Sequence, residues 1–316
     1  MNHKKSIVHF IELKDKYSIN ARLLGHHIRI RMSDDCYMCL IIPSLVVRNG
    51  FPKIEIPEAL EKYKADLDEW GCVKSYESID NLDKMSVWIY AVLIECFCED
   101  KDSLPNSNIM QAETKKVLHS LQIINPNAIR IPSDGQENEL CKVTSSTINE
   151  NGKALIEVKL PPFVFDDGRS KLSLIDIKRA FRNANNSVSA PYEMLNNARI
   201  NFANHDTRAT VLNCATAVEV MFKREVFAYL SRNNIPQELK DYVLKQADGF
   251  DKLIALCKKL NIDPTRLPNI KEVVMNVRNR VIHGGYIPLK GEAQKAYNIT
   301  MEALKVMNVP MFESNL

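Results

Sequence analysis

The sequence predicts an α+β protein with two domains: a mixed α/β domain over residues 1–185 and an all-helical domain over residues 191–316. Two observations predict this arrangement. Runs of β-branched residues separated by turn residues fill the first part of the chain, and helical spacing of apolar residues replaces them after Pro191. At 316 residues the chain is long enough for two domains that each bury a core.

The first strands are predicted in three runs rich in β-branched residues, SIVHFIEL, HHIRIRM and CYMCLIIPSLVV. Asp34-Asp35, between the second and third runs, and Asn49-Gly50, after the third, are predicted as turns. A helix is expected over residues 57–70, because Pro57 suits a first helical turn. The run MSVWIYAVLIECFCED fits a buried helix and a core strand equally well, since its apolar residues are continuous.

Helix and strand signals alternate through the rest of the first domain. Apolar spacing predicts a helix over residues 111–125, and an Asn-Gly pair at 151–152 predicts a hairpin between the runs ELCKVTSSTI and ALIEVKL. Another helix is expected around residues 174–181. Proline, glycine and small polar residues predict a domain boundary between about 162 and 191.

Six helices with short connections are predicted after Pro191, which indicates a helical bundle. The longest is expected to begin at Asp206 as its amino cap, and the penultimate helix ends near His283. Their core-facing residues recur at helical spacing: Val211, Ala215, Val218, Phe222 and Val226 in the first, and Ile270, Val273, Val274, Val277 and Val281 in the second.

The composition favours a cytoplasmic protein without membrane association. No apolar run is long enough to span a bilayer, and the run at the amino terminus is too short and too charged for a signal peptide. The eight cysteines are expected to be reduced thiols. With a net charge of +3, the chain must make any nucleic-acid contact through local patches.

A zinc site is the alternative for some of these cysteines. Cys36-x2-Cys39 could form half of it, with Cys96-x-Cys98 or the neighbouring histidine pair as the other half. A strand would point residues three apart to opposite faces, so buried thiols are the favoured interpretation. We therefore expect neither a metal nor a cofactor. Phosphate-binding loops, dinucleotide fingerprints and metalloprotease motifs are also missing from the sequence.

One motif in the second domain is a candidate for catalysis. Arg278 is followed at once by Asn279 and, five residues on, by His283, with Gly284-Gly285 next. This motif resembles that of HEPN domains, in which an arginine and a polar residue precede a histidine. The order of helices over residues 191–310 also resembles a HEPN bundle, most closely the Apea-like group.

The resemblance implies a metal-independent endoribonuclease with a toxin or anti-phage defence role. It implies an RNA substrate, a homodimer whose composite site pairs two motifs, and products with a cyclic phosphate and a 5′-hydroxyl. His283 would transfer protons and Arg278 would hold the scissile phosphate, which suits an imidazole and a forked guanidinium. The first domain would sense a trigger or restrain the nuclease, with a phage-derived or antitoxin regulator as a possible partner.

Helix geometry sets a condition on this site. Residues five apart on a regular helix are about 140° apart in projection, so Arg278 and His283 converge only if the helix end loosens at Gly284-Gly285. Asn279 and Glu219 are the predicted supporting residues, because both could orient the motif. Arg280 is predicted to contact RNA phosphate, and Tyr286 to stack on a base.

Other interpretations of these residues stay open at this point. The helical domain could be a non-catalytic dimerisation module that binds RNA, a nucleotide or a partner protein. Glu219 could pair with Lys223 one helical turn away, and Tyr286 could be a packing residue. The spacing alone is not specific, since Arg22 and His27 have the same five-residue offset.

Overall fold

A computed structural model of the chain divides into two compact units, Met1–Asn185 and Asn186–Leu316. The first unit combines sheet and helix, and the described elements of the second are helices, so the α+β class is confirmed. The structure describes residues 6–20, 23, 26–31, 36–42, 44–48, 51–55, 86–98, 104–131, 140–149, 164–166, 170–262 and 269–313.

The first unit is built on an antiparallel sheet. Its strands and the separate hairpin β4–β5 have the following bounds: β1 Ser6–Asn20, β2 His27–Arg31, β3 Cys36–Ile41, β4 Ser44–Arg48, β5 Phe51–Glu55, β6 Ser86–Cys98, β7 Ile129–Arg130, β8 Cys141–Asn149 and β9 Val164–Asp166. The main path runs β2-β3-β6-β1-β7, with β8 also paired to β1 and β9 to β6. The two longest strands, β1 and β6, therefore form its centre.

The ambiguous run at residues 85–100 is strand β6. It pairs with β1 on one side and β3 on the other, and Ala91 to Cys96 are all buried. A central strand covered on both faces needs no polar alternation, which explains the continuous apolar sequence. Glu95 is the one charged residue of this stretch, and its carboxylate accepts a 2.5 Å hydrogen bond from the Ser6 hydroxyl.

The expectation that all cysteines are reduced is wrong for two of them. Cys36 and Cys98 form a disulfide, with their Cα atoms 4.2 Å apart. They lie directly opposite each other on β3 and β6. The sequence could not give this pairing register, which brings together residues 62 positions apart. The other described cysteines are buried and take no part in a disulfide. Among the described residues, no three His, Cys, Asp or Glu side chains are placed to hold a metal ion.

Two helices belong to the first unit, α1 (Ser107–Ile124) and α2 (Leu174–Asn183). Helix α1 begins one turn earlier than predicted, because the Asn106 side chain caps it by accepting from the Ile109 amide at 3.0 Å. Its apolar face packs on the sheet in the core of the unit. The helix predicted over 57–70 and the second arm of the predicted hairpin lie outside the described residues.

The second unit contains six helices among its described residues: α3 Ala190–Ala203, α4 Thr207–Arg232, α5 Gln237–Gln246, α6 Phe250–Lys259, α7 Asn276–Gly284 and α8 Lys290–Val306. Asp206 caps α4 as predicted, accepting from the Ala209 amide at 2.9 Å. All five residues predicted as the core stripe of α4 are buried. In the described part of the chain, no helix is long and apolar enough to cross a membrane.

Candidate active site

The helix that carries the Arg-His motif is not uniform. Residues Lys271–Met275 form a π-helical turn, and regular α-helix α7 begins only at Asn276. The apolar spacing had predicted one continuous α-helix, and it gives no sign of the wider turn, since Val274 and Val277 are buried in either case. Single π turns occur often at functional sites, because they redirect the residues that follow.

Helix α7 ends where the glycine pair predicted. Gly285 adopts a left-handed conformation, with φ of 61°, and its N–H donates to the Arg280 carbonyl. The Tyr286 N–H donates to the same carbonyl at 3.2 Å. A residue with a side chain adopts this conformation only at a cost, so Gly285 stops the helix two residues after His283.

Arg278 lies at a cleft of about 360 Å³. We call this the Arg278 cleft, and Glu219, Phe250, Lys271, Arg278 and Asn279 are among its lining residues. One guanidinium nitrogen, Nη1, donates to the Asn279 side-chain oxygen at 2.9 Å. This bond brings the two side chains together, and the supporting role of Asn279 at the site stays a prediction.

Glu219 extends from α4 to the same cleft, so the structure brings together three of the predicted site residues. Its alternative role, an ion pair with Lys223, is absent from the described residues. Glu219 is half-buried at the edge of a helix whose other face forms the core. A carboxylate in this position is available to a ligand.

His283 is exposed at the far end of α7 and does not line the Arg278 cleft. It makes no hydrogen bond or ion pair with another described residue. Within one chain, the structure therefore does not bring the histidine and the arginine of the motif together. Two apolar residues that follow His283 in the chain are also exposed, Ile287 by 66% and Leu289 by 69%.

Arg280 and Tyr286 belong to a separate cluster, where α7 meets α8. Glu292 accepts from Arg280 at 2.8 Å, from the Tyr286 hydroxyl at 2.7 Å and from the Leu289 amide at 2.9 Å. The Arg280 guanidinium also lies over the Tyr286 ring, 4.3 Å from its centre. The predicted RNA contacts of Arg280 and Tyr286 would therefore compete with bonds inside the chain.

Electrostatics within this cluster follow from those bonds. Hydrogen bonds from Tyr286 first, then from Leu289 and Arg280, lower the pKa of the Glu292 carboxyl. The bond to Glu292 raises the pKa of Tyr286 and that of Arg280. Sequence reasoning missed Glu292, although a glutamate at the third position of a helix is a known signal for amino-terminal capping.

Chemically, the motif helix offers a guanidinium held toward a cleft and an imidazole open to solvent. The first can bind a phosphate with two nitrogen donors, and the second is a side-chain type that serves as a proton acceptor and donor in catalysis. Comparisons with models of protein families, with curated proteins and with solved structures find no match for this chain.

Proposed function

We propose that this protein is a metal-independent endoribonuclease of the HEPN type. One observation carries the proposal: Arg278 is held by Asn279 at a cleft that Glu219 also lines, while His283 is exposed on the same helix. These are the residue types that RNA transesterification needs, a cation for the phosphate and a base for the 2′-hydroxyl. The resemblance of the motif to HEPN domains supports the same activity.

In the proposed reaction, the imidazole of His283 takes the proton of the 2′-hydroxyl. The 2′-oxygen forms a bond to the adjacent phosphorus, and the bond from phosphorus to the 5′-oxygen breaks. The leaving oxygen receives a proton from the imidazolium, which restores the histidine. Arg278 stabilises the charge on the non-bridging oxygens throughout. The products are a 2′,3′-cyclic phosphate and a 5′-hydroxyl.

The active site in this proposal is composite, formed by two copies of the chain. His283 and Arg278 point to different surroundings within one chain, so a second copy supplies the missing partner. Ile287 and Leu289, which follow His283 in the chain, are exposed and support this, because apolar side chains of that size favour burial in an interface. A two-fold axis would place two motifs against each other.

The biological role follows from the resemblance alone. The proposed nuclease acts in toxin or anti-phage defence, and the sheet unit senses a trigger or restrains cleavage. A phage-derived component or an antitoxin would then be the regulatory partner. Fold and family do not fix biology, so this part of the proposal depends on the nuclease activity being present.

Cleavage of total cellular RNA in excess chelator tests the activity. Wild type is compared with His283→Ala and with the control His205→Asn, which changes an exposed histidine of the same unit. Asparagine suits the control because His205 has a φ of 62°, which asparagine tolerates. We expect wild type and control to leave cyclic phosphates, and His283→Ala to be slower by about 10²–10⁴-fold.

Equal cleavage by wild type and His283→Ala would contradict the assignment. If wild type binds RNA but does not cut it with or without a trigger, the non-catalytic binding module becomes the better description. Mixing Arg278→Ala with His283→Ala then tests the composite site. If one copy supplies arginine and the other histidine, random pairing restores about a quarter of the wild-type rate. No restoration would mean that each site lies within one chain.

A further inference from the structure

The Arg278 cleft is also lined by residues outside the Arg-His motif. A second cleft, of about 590 Å³, shares Phe250, Asp251 and Lys271 with it. Phe250 is the aromatic side chain common to both, half-buried at the start of α6. Its ring makes an edge contact with the Phe222 ring, at 6.0 Å between ring centres. An aromatic ring held in this way between two clefts offers a surface on which a base can stack.

The charges of the Arg278 cleft are balanced. Lys252, Lys271 and Arg278 supply cations, while Glu219, Asp248 and Asp251 supply carboxylates. Lys271 is already paired with Asp251 at 2.7 Å. A site for phosphate alone would not gather as many carboxylates as cations, because each carboxylate repels the anion. The carboxylates favour a ligand that presents hydrogen-bond donors beside its phosphate.

We propose that the Arg278 cleft binds the base next to the scissile phosphate and selects guanine. Phe250 stacks on the face of the base, and the carboxylate of Glu219 accepts hydrogen bonds from its edge. This inference rests on the proposed function, since it names the nucleotide that the same site takes. At about 360 Å³, the cleft is at the small end of the range for small-molecule sites, which suits a single base.

Guanine is the base that a carboxylate recognises best. Its Watson–Crick edge presents an N–H and an amino group side by side, and an ionised carboxylate accepts both. Uracil presents one N–H between two carbonyl oxygens, and a carboxylate repels these oxygens. Adenine and cytosine each offer an amino group beside an acceptor nitrogen, so they bind with intermediate strength.

The test measures binding without cleavage. Fluorescence anisotropy is recorded with short 2′-O-methyl oligonucleotides that differ only in carrying guanine, adenine, cytosine or uracil, because these cannot be cut at the 2′-oxygen. We expect wild type to bind the guanine oligonucleotide about tenfold more tightly than the uracil one. Glu219→Gln should lose most of that preference, and Phe250→Leu should weaken binding to every base by roughly tenfold.

Two matched controls come from α4, the helix that carries Glu219. Glu225→Gln and Phe227→Leu change a glutamate and an aromatic residue of α4 that do not line the cleft, and both should bind like wild type. Equal affinity of wild type for guanine and uracil would overturn the proposal, as would a preference unchanged in Glu219→Gln. Either failure is separate from failure of the nuclease assignment, which the cleavage assay decides.

Discussion

Both units bury some polar side chains, but two sets of polar residues, one in each unit, have different surroundings. In the sheet unit, buried polar groups bond to one another: Gln122 of α1 donates to Asp15 of β1 at 2.7 Å, and both are buried. Ser6 and Glu95 form a similar pair across the two central strands. In the helical unit, Glu219 and His283 face a cleft and the solvent.

This difference predicts whether a substitution at these residues changes the stability of the fold or the binding of a ligand. A buried polar pair stabilises the fold only while both partners are present, because a lone buried group loses its hydrogen bonds to water. A polar group at the surface contributes little to stability and is available to a ligand. We therefore expect substitutions in the sheet unit to act on stability, and substitutions around α7 to act on RNA cleavage.

After His283→Ala, the largest effect is expected from Arg278→Lys. Lysine keeps the positive charge but cannot bind two phosphate oxygens as a fork, and it loses the bond geometry to Asn279. We expect the single-turnover cleavage rate to fall by about 10²–10³-fold. The free energy of unfolding in denaturant should change by less than about 0.5 kcal/mol. A normal cleavage rate would mean that Arg278 acts only as a charge.

The sequence predicts those features of the fold that residues close together in the chain determine. The cap at Asp206, the core stripe of α4 and the end of α7 at Gly285 were all predicted, because neighbouring residues determine them. The disulfide between Cys36 and Cys98 was missed, since it depends on strand register. The π turn before α7 was missed because its buried residues also fit a regular helix.

The same distinction applies to the candidate site. Arg278, Asn279 and His283 could be selected from a local motif, and Glu219 from its position on a helix. Phe250 could not, because nothing in its own segment shows that the start of α6 lies beside α7 and α4. Chain folding alone brings these three helices to one cleft. Sequence reasoning therefore found the residues proposed to act on phosphate and missed the one proposed to stack on the base.

A smaller effect is expected from Gln122→Leu in the sheet unit. It removes the 2.7 Å hydrogen bond to the buried Asp15 carboxylate, which costs about 1.5–3 kcal/mol of unfolding free energy. Denaturant unfolding monitored by circular dichroism measures this loss. The control Gln294→Leu, near the surface of α8, should cost less than about 0.5 kcal/mol. If both variants cost the same, the contrast between the units is wrong.

The smallest effect concerns the pH dependence of stability through His9. This residue is buried on β1, and its Nδ1 lies 2.7 Å from the Ser146 hydroxyl oxygen. Burial lowers the pKa of His9 below its ordinary value of 6.5, although the backbone of Pro105 partly opposes this. The folded chain therefore holds His9 neutral at a pH where the unfolded chain protonates it.

Because the unfolded chain binds the extra proton, the contribution of His9 to stability is complete above about pH 6.5 and is lost as the pH falls below it. One proton gives a slope of at most about 1.4 kcal/mol per pH unit. We expect His9→Asn to reduce the slope of unfolding free energy between pH 6.5 and 5, measured by denaturant titration at each pH. The pKa of Glu292 is lowered from an ordinary value of 4.5, so Glu292 changes the stability only below that pH, outside this window. Identical slopes in wild type and His9→Asn would show that the sheet unit does not hold this histidine neutral.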